Sequence, residues 1–162
     1  MRIVCQRELE AQVTVNSQCV GKICRGLLVF IGVGKGDTET DAQFIADKIV
    51  NLRIFADEAG KMNLSVRDVG GPPPRLASGD AGAGGVLLVS NFTLHGDCRK
   101  GRRPGFDAAA EPALAQQLYE KVCALVAEQG VHVEKGIFGE YMHVANVNDG
   151  PVTFILDSSR LF

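Results

Sequence analysis

Gly85-Val86-Leu87-Leu88-Val89-Ser90-Asn91-Phe92-Thr93-Leu94 is the stretch on which the reading of the chain turns. Its first half is a short apolar run rich in β-branched residues, the composition of a buried strand. The second half delivers two hydroxyls, an amide and an aromatic ring to the strand's end, from Ser90, Thr93, Asn91 and Phe92. Arg99-Lys100-Gly101-Arg102-Arg103-Pro104 follows closely, and its glycine and proline keep it out of a helix. A polar strand end beside a dense cationic loop suits a site that holds a polyanion while something small is handled next to it.

Outward from that strand, the chain alternates short strands with two helices. Met1–Arg7 and Ala11–Asn16 read as two alternating strands, Asn16-Ser17 as a turn, and Gln18–Cys24 as a weaker third strand. Leu27–Ile31 is continuously apolar, the mark of a strand buried on both faces. Thr38 followed by Asp41 resembles a capping box, and Ala42, Ile45, Ala46, Ile49 and Val50 fall on one face of the helix it opens. Arg53–Phe55 begins another extended segment, with a turn at Asp57–Lys61. Pro112 and Gly130 bracket a second long helix whose buried stripe is Leu114, Leu118, Val122, Leu125 and Val126, flanked by Tyr119 and Cys123. Val131–Glu134 alternates, with His132 on the wet face. Met142–Val147 and Val152–Leu156 predict two further strands separated by Asn148-Asp149-Gly150-Pro151. Gly70 to Gly85, with six glycines and three consecutive prolines, has almost nothing to bury and reads as a flexible surface loop inside one domain. The sum is a single α/β domain over residues 1–162 around a curved, largely antiparallel sheet with two main helices.

Composition narrows the function. A formal charge of −2, from 17 basic and 19 acidic residues, excludes wholesale coating of nucleic acid, so any RNA contact must come from a local patch such as Arg99–Arg103. No run reaches the roughly 18 to 20 apolar residues of a membrane span, and the N-terminus is too quickly charged for a signal peptide. Five cysteines without C-x-x-C spacing point to free thiols in a reducing compartment, with the cytosol as the default.

Several chemistries fail on spacing. Gly32-Val33-Gly34-Lys35-Gly36-Asp37 has Asp37 where a dinucleotide fingerprint needs glycine, and no Ser or Thr after Lys35 for a P-loop. His95, His132 and His143 lack partners at zinc-ligand spacing. There is no G-x-S-x-G elbow, and no base is evident to activate Thr93. Two features remain: backbone N–H groups at Ser90–Leu94 that can form an oxyanion hole, and Gly150-Pro151. The X-Pro trans preference is only about 0.5–1 kcal/mol, and glycine before proline removes a Cβ clash. Gly150-Pro151 is thus a favourable place for a cis peptide aiming carbonyl oxygens at one point, or an ordinary turn between strands.

At these residues the chain resembles the D-aminoacyl-tRNA deacylases. Ser90-Asn91-Phe92-Thr93-Leu94 resembles their Ser-Gln-Phe-Thr-Leu motif, and Asn148-Asp149-Gly150-Pro151-Val152-Thr153 their Asn-x-Gly-Pro-Val-Thr motif. Similar blocks run through Gln6-Arg7, Gly26–Val29, Lys48–Phe55, Gly60–Ser65, Arg99–Pro104 and Gly136-x-Phe138-Gly139.

The resemblance implies a barrel-like deacylase fold and hydrolysis of the ester between a D-amino acid and the tRNA 3′-terminal adenosine, without metal or organic cofactor. It implies a cytoplasmic homodimer in which each cis Gly150-Pro151 reaches the partner's site, binds the α-amino group and excludes L side chains, so that glycyl esters pass. It places Ser90, Asn91, Phe92 and Thr93 in the catalytic site, with backbone around Phe92 and Thr93 holding the carbonyl and the terminal ribose 2′-OH assisting water. Arg7 would orient Gly150-Pro151. Phe138, Gly139, Met142, Asn148 and Thr153 would line the substrate site, with Phe138 and Met142 at the adenine. Lys100, Arg102 and Arg103 would meet tRNA phosphates, and no DNA or membrane partner is implied. The sequence departs at Asn91, where the family usually has Gln, at His95–Cys98, and in a longer Gly70–Gly85 loop. A tRNA-binding module that has lost catalysis is the alternative that Asn91 raises.

Overall fold

The computed structural model describes residues 1–70 and 84–161. Apart from its end residues, the loop expected over 70–85 lies outside the described residues. The chain runs β1 (Arg2–Val15), β2 (Gln18–Ile23), β3 (Gly26–Gly32), α1 (Glu39–Asn51), β4 (Phe55–Ala56), β5 (Met62–Leu64), α2 (Val66–Val69), β6 (Gly85–Ser90), a 3₁₀ turn (Phe92–His95), α3 (Pro112–Glu128), β7 (Val133–Lys135) and β8 (His143–Asp157).

The main sheet has the order β2-β1-β3-β6-β7, with β8 on the other side of β1. Pairings of β1 with β2, β3 and β8 are antiparallel, whereas β3–β6 and β6–β7 are parallel. The sheet is therefore mixed but largely antiparallel, as expected, with β6 and β7 added in parallel. The connections carrying α1 and α3 are long enough to return the chain to the same end, as parallel pairing requires. The sheet rolls almost closed: a Cβ on Gly21 of β2 would lie 2.9 Å from the Lys135 carbonyl oxygen of β7, at the opposite end of the strand order. Within the sheet, a Cβ on Gly26 would run into the Gly85 carbonyl oxygen, so the paired strands β3 and β6 begin with their backbones in close approach.

Period-two alternation along these strands makes two cores. Leu27, Val29, Ile31, Val86 and Leu88 face the helices, meeting Ile45, Ile49, Leu118 and Val122. Leu28, Leu87 and Val89 point into the barrel with Ala11, Val13 and Ile23. The Thr38–Asp41 capping box opens α1 as expected, and its expected apolar face is the buried one. On α3 the buried face is Ala115, Leu118, Tyr119, Val122, Cys123 and Val126. Tyr119 and Cys123 thus lie within the stripe, and Leu114 and Leu125 at its half-buried margin. The Tyr119 hydroxyl donates to the Leu88 carbonyl at 2.9 Å, anchoring α3 to the centre of β6.

Two local expectations are corrected. β1 is one strand of 14 residues, not two, because β8 pairs alongside it from Arg2 to Thr14 and carries it through Glu8–Glu10. For the same reason the strands expected over Met142–Val147 and Val152–Leu156 are one strand, β8, of 15 residues, which starts one residue later at His143. The short α2 falls in a stretch for which the sequence predicts no element, and Ser65 and Asp68 form a capping box around its start.

Candidate active site

Ser90 ends β6 level with Ile31 of β3, and Asn91 N–H continues that ladder by donating to the Ile31 carbonyl at 2.8 Å. The chain then tightens into the 3₁₀ turn, capped by Asn91. The Asn91 Oδ1 accepts from Thr93 N–H at 3.1 Å and from Thr93 Oγ1 at 2.5 Å. This is an Asx-type closure, in which a short amide side chain binds backbone two residues on. The shorter Asn91 side chain is thereby spent on shaping the turn. The Thr93 hydroxyl donates to an amide oxygen, which is no general base. Phe92 N–H, in contrast, has no hydrogen-bond partner among the described residues. Burial pushes the thiols of Cys5 and Cys123 up to about 12 and about 11, so neither supplies a thiolate near neutrality.

The turn exposes the Phe92 ring, which meets Phe106 edge to face at a centroid distance of 5.0 Å. Phe106 is brought there by a bridge that closes the basic loop: Asp97 N–H donates to Gly105 O at 2.7 Å and Gly105 N–H to Asp97 O at 2.9 Å. The cationic loop therefore stands beside the Ser90–Thr93 turn. Arg99 is occupied within it, pairing with Asp97 at 2.7 Å, and those hydrogen bonds hold the Asp97 carboxyl at about 2. Lys100, Arg102 and Arg103 are exposed and have no hydrogen bond or ion pair among the described residues.

Beyond β7, Gly136 N–H donates to the Leu88 carbonyl at 2.9 Å, so the segment carrying Phe138, Gly139 and Met142 leaves near the same end of β6. Phe138 leans on Tyr119 at 6.1 Å between ring centroids. Met142 packs toward Gly136, where a Cβ would lie 2.5 Å from its sulfur. Ser90, Asn91, Phe92, Thr93, Phe138, Gly139, Met142 and the basic loop are thus gathered around one end of the sheet.

Gly150 and Pro151 are elsewhere. On β8, Asn148 pairs with Glu8 and Thr153 with Gln6, so Asp149–Val152 stand opposite the single residue Arg7. The excess chain is thrown out as a loop whose Gly150-Pro151 bond is cis, and both residues are exposed. Gly150 has φ +149°, and a Cβ there would lie 2.5 Å from Val152 Cγ2. Arg7 Nε donates to the Asp149 carbonyl at 3.1 Å and pairs with its carboxylate at 3.0 Å, while Arg7 Nη1 donates to Ile54 O at 2.6 Å. Asn148 closes the base of the loop: its Oδ1 accepts from Val152 N–H at 2.9 Å and its Nδ2 donates to Val152 O at 3.3 Å. Thr153 Oγ1 accepts from Gln6 Nε2 at 3.2 Å.

Register separates the two motifs. Arg7 is level with Leu27 and Ser90 with Ile31, four residues and about 13 Å along β3 at roughly 3.3 Å per residue. Sequence reasoning missed Phe106, Glu8 and the Asn91–Thr93 closure. Only the last carried a local signal, a side-chain acceptor two residues before a free N–H.

A nearly closed mixed sheet with α1 and α3 packed on one face defines a single-domain α/β fold of the deacylase type. A solved structure titled as a probable eukaryotic D-amino acid tRNA deacylase shares it, with TM-score 0.78 at 17% identity over 96% of this chain and 97% of that one. The solved c-Myc DNA Unwinding Element Binding Protein superposes with TM-score 0.83 at 34% identity, covering 97% of this chain and 98% of the other. The D-aminoacyl-tRNA deacylase of Thermotoga petrophila is 54% identical over 162 residues, the full length of both chains. That of Thermus aquaticus is 54% identical over 160 residues, 99% of this chain and 97% of its own. Residues 4–157 match the D-Tyr-tRNA(Tyr) deacylase family, and the chain belongs to it. Among the described residues no helix is long and apolar enough to cross a membrane.

Proposed function

We propose that the chain, a D-aminoacyl-tRNA deacylase by family, works as a homodimer in which each Gly150–Pro151 loop completes the partner's Ser90–Thr93 pocket. The observation that carries this reading is the separation of the motifs: within one chain the Gly150–Pro151 loop and the Ser90–Thr93 turn stand at different levels of the sheet. A second copy closes that gap. The apolar edge of β8 supports the pairing, because Val147, Phe154 and Ile155 are 46%, 37% and 57% exposed. An exposed apolar edge strand offers a ready surface for pairing with another chain.

In the joined site, main-chain oxygens of the loop receive the substrate α-amino group and leave no room for an L side chain. Glycine has no side chain to exclude, so glycyl esters on tRNA are a second substrate. Phe92 N–H holds the ester carbonyl as charge develops on its oxygen, a role supported by its lack of a hydrogen-bond partner among the described residues. Water attacks the carbonyl carbon with assistance from the ribose 2′-hydroxyl. The bond to the ribose oxygen breaks, and free amino acid and tRNA depart. No side-chain nucleophile is required. Lys100, Arg102 and Arg103 meet the phosphates beside the pocket, and Phe138 and Met142 border the adenine.

The test is hydrolysis of D-tyrosyl-tRNA against L-tyrosyl-tRNA, with turnover of the D ester only as the expected result; turnover of neither leaves a tRNA binder. A D-tyrosyl ester on tRNA ending in 2′-deoxyadenosine should resist, and undiminished turnover rules out assistance by the hydroxyl. Coexpression of Phe92→Pro with Gly150→Ala tests the shared site. Random pairing should restore about a quarter of the native sites, whereas two self-contained sites would restore none.

A further inference from the structure

Glu8 lies on β1 and has no exposed surface, yet it carries a carboxyl. Burial of such a group is costly unless it is hydrogen-bonded or neutral. Its Oε1 accepts from Asn146 Nδ2 at 3.1 Å and Asn148 Nδ2 at 3.4 Å, and its Oε2 has no partner among the described residues. Burial drives the carboxyl above its ordinary range, the two amides oppose this, and the charge of Asp149 adds to it. The neutral acid still offers a carbonyl oxygen to both amides.

Asn148 is the residue through which Glu8 acts. An amide can face its neighbours in two ways, and only the nitrogen donates. Around Asn148 Nδ2 stand three acceptors, Glu8 Oε1, Arg7 O at 3.2 Å and Val152 O. Their agreement fixes Oδ1 toward Val152 N–H, and so ties Asn148 to Val152 across Asp149-Gly150-Pro151.

We infer that Glu8 is a positioning residue for chiral selection: its carboxyl sets the orientation of the Asn148 amide that clamps the base of the Gly150–Pro151 loop. The inference rests on the reading of that loop as the element that refuses L substituents. A slackened base lets the loop give way, so an L ester gains more than a D ester loses.

The test compares D- and L-tyrosyl-tRNA hydrolysis, with thermal unfolding, for the intact protein and for Glu8→Leu, Glu8→Gln, Asn148→Ala and Pro151→Ala. Glu8→Leu exchanges a buried carboxyl for an apolar group and should keep or raise Tm, while the D-to-L rate ratio falls about tenfold. Glu8→Gln retains an acceptor oxygen and should keep the ratio within about twofold. Asn148→Ala removes the clamp itself and should reproduce the drop, even if Glu8→Leu fails to fold. Pro151→Ala reports on the loop reading alone. If it lowers the ratio while Glu8→Leu or Asn148→Ala leaves it intact, the role of Glu8 is overturned and the loop reading stands. If Pro151→Ala leaves the ratio intact, the loop reading itself falls. Equal losses of D and L turnover in the Glu8 variants would mark a structural residue and also overturn the inference.

Discussion

Replacing Arg7 by Met keeps the aliphatic stem and removes every polar interaction the guanidinium makes with the loop and with β4's approach. Arg7 holds the Asp149 carbonyl and carboxylate and the Ile54 carbonyl, and its side chain is 12% exposed. Hydrogen bonds involving a charged group contribute about 1.5–3 kcal/mol each. They do not add fully here, because one nitrogen serves both Asp149 oxygens and the Asp149 carboxylate is 33% exposed, so solvent screens its share. The Ile54 carbonyl belongs to a buried residue and loses its short partner. Together these give about 2–4 kcal/mol, or a fall in Tm of roughly 5–15 °C for a domain of this size. Arg7→Lys should recover only part, since one ammonium cannot reproduce the fork. Calorimetry measures the stability, and paired D- and L-tyrosyl-tRNA assays measure selectivity, which should fall further than D turnover. A Tm unchanged in Arg7→Met refutes the energetic reasoning. A lowered Tm with unchanged selectivity shows that Arg7 serves the Ile54 segment alone.

Other substitutions probe the remaining parts. Gly150→Ala should distort the loop and abolish most D turnover, because its Cβ would lie 2.5 Å from Val152 Cγ2; wild-type kinetics would show that the loop tolerates a side chain. Thr93→Ala should retain most activity, since the hydroxyl only binds Asn91, and complete loss with intact folding would revive a side-chain nucleophile. Neutralising Lys100, Arg102 and Arg103 should flatten the dependence of log K on log salt by about 0.7–0.9 for each phosphate no longer neutralised; an unchanged slope in tRNA-binding titrations removes the loop from the interface. Glu8 has a folded-state pKa above its ordinary 4.5, so the folded chain binds the extra proton and Glu8's stabilising contribution declines as pH rises from about 4.5 through that raised value. Glu8→Gln should abolish that part of the pH dependence of unfolding, and a parallel pH profile in the variant contradicts the assignment.

Much of the fold was legible because its signals are local. The continuous apolar runs of β3 and β6, the Thr38–Asp41 cap of α1 and the Pro112 and Gly130 limits of α3 each depend on residues a few positions apart. The errors arose where pairing overrode pattern. Glu8–Glu10 breaks the alternation of β1, and Asn148–Pro151 reads as a turn between strands; β1 runs on because Glu8 and Glu10 pair with Asn148 and Val147, and β8 resumes beyond the loop where Thr153 pairs with Gln6. Parallel pairing of β3, β6 and β7 had no local mark at all.

The candidate site divides along the same line. Ser90–Thr93, the basic loop and Gly150-Pro151 could be found one motif at a time, since short polar runs and X-Pro steps declare themselves in sequence. Sequence by itself determined which residues are available for the chemistry. Tertiary structure alone decided where they stand: Arg7 opposite the bulged loop, Glu8 beneath Asn148, and Ser90 some four residues further along the sheet. Those placements follow from strand register, which depends on partners far off in the chain, up to 141 positions for Arg7 and Asn148, and which no local window of sequence contains.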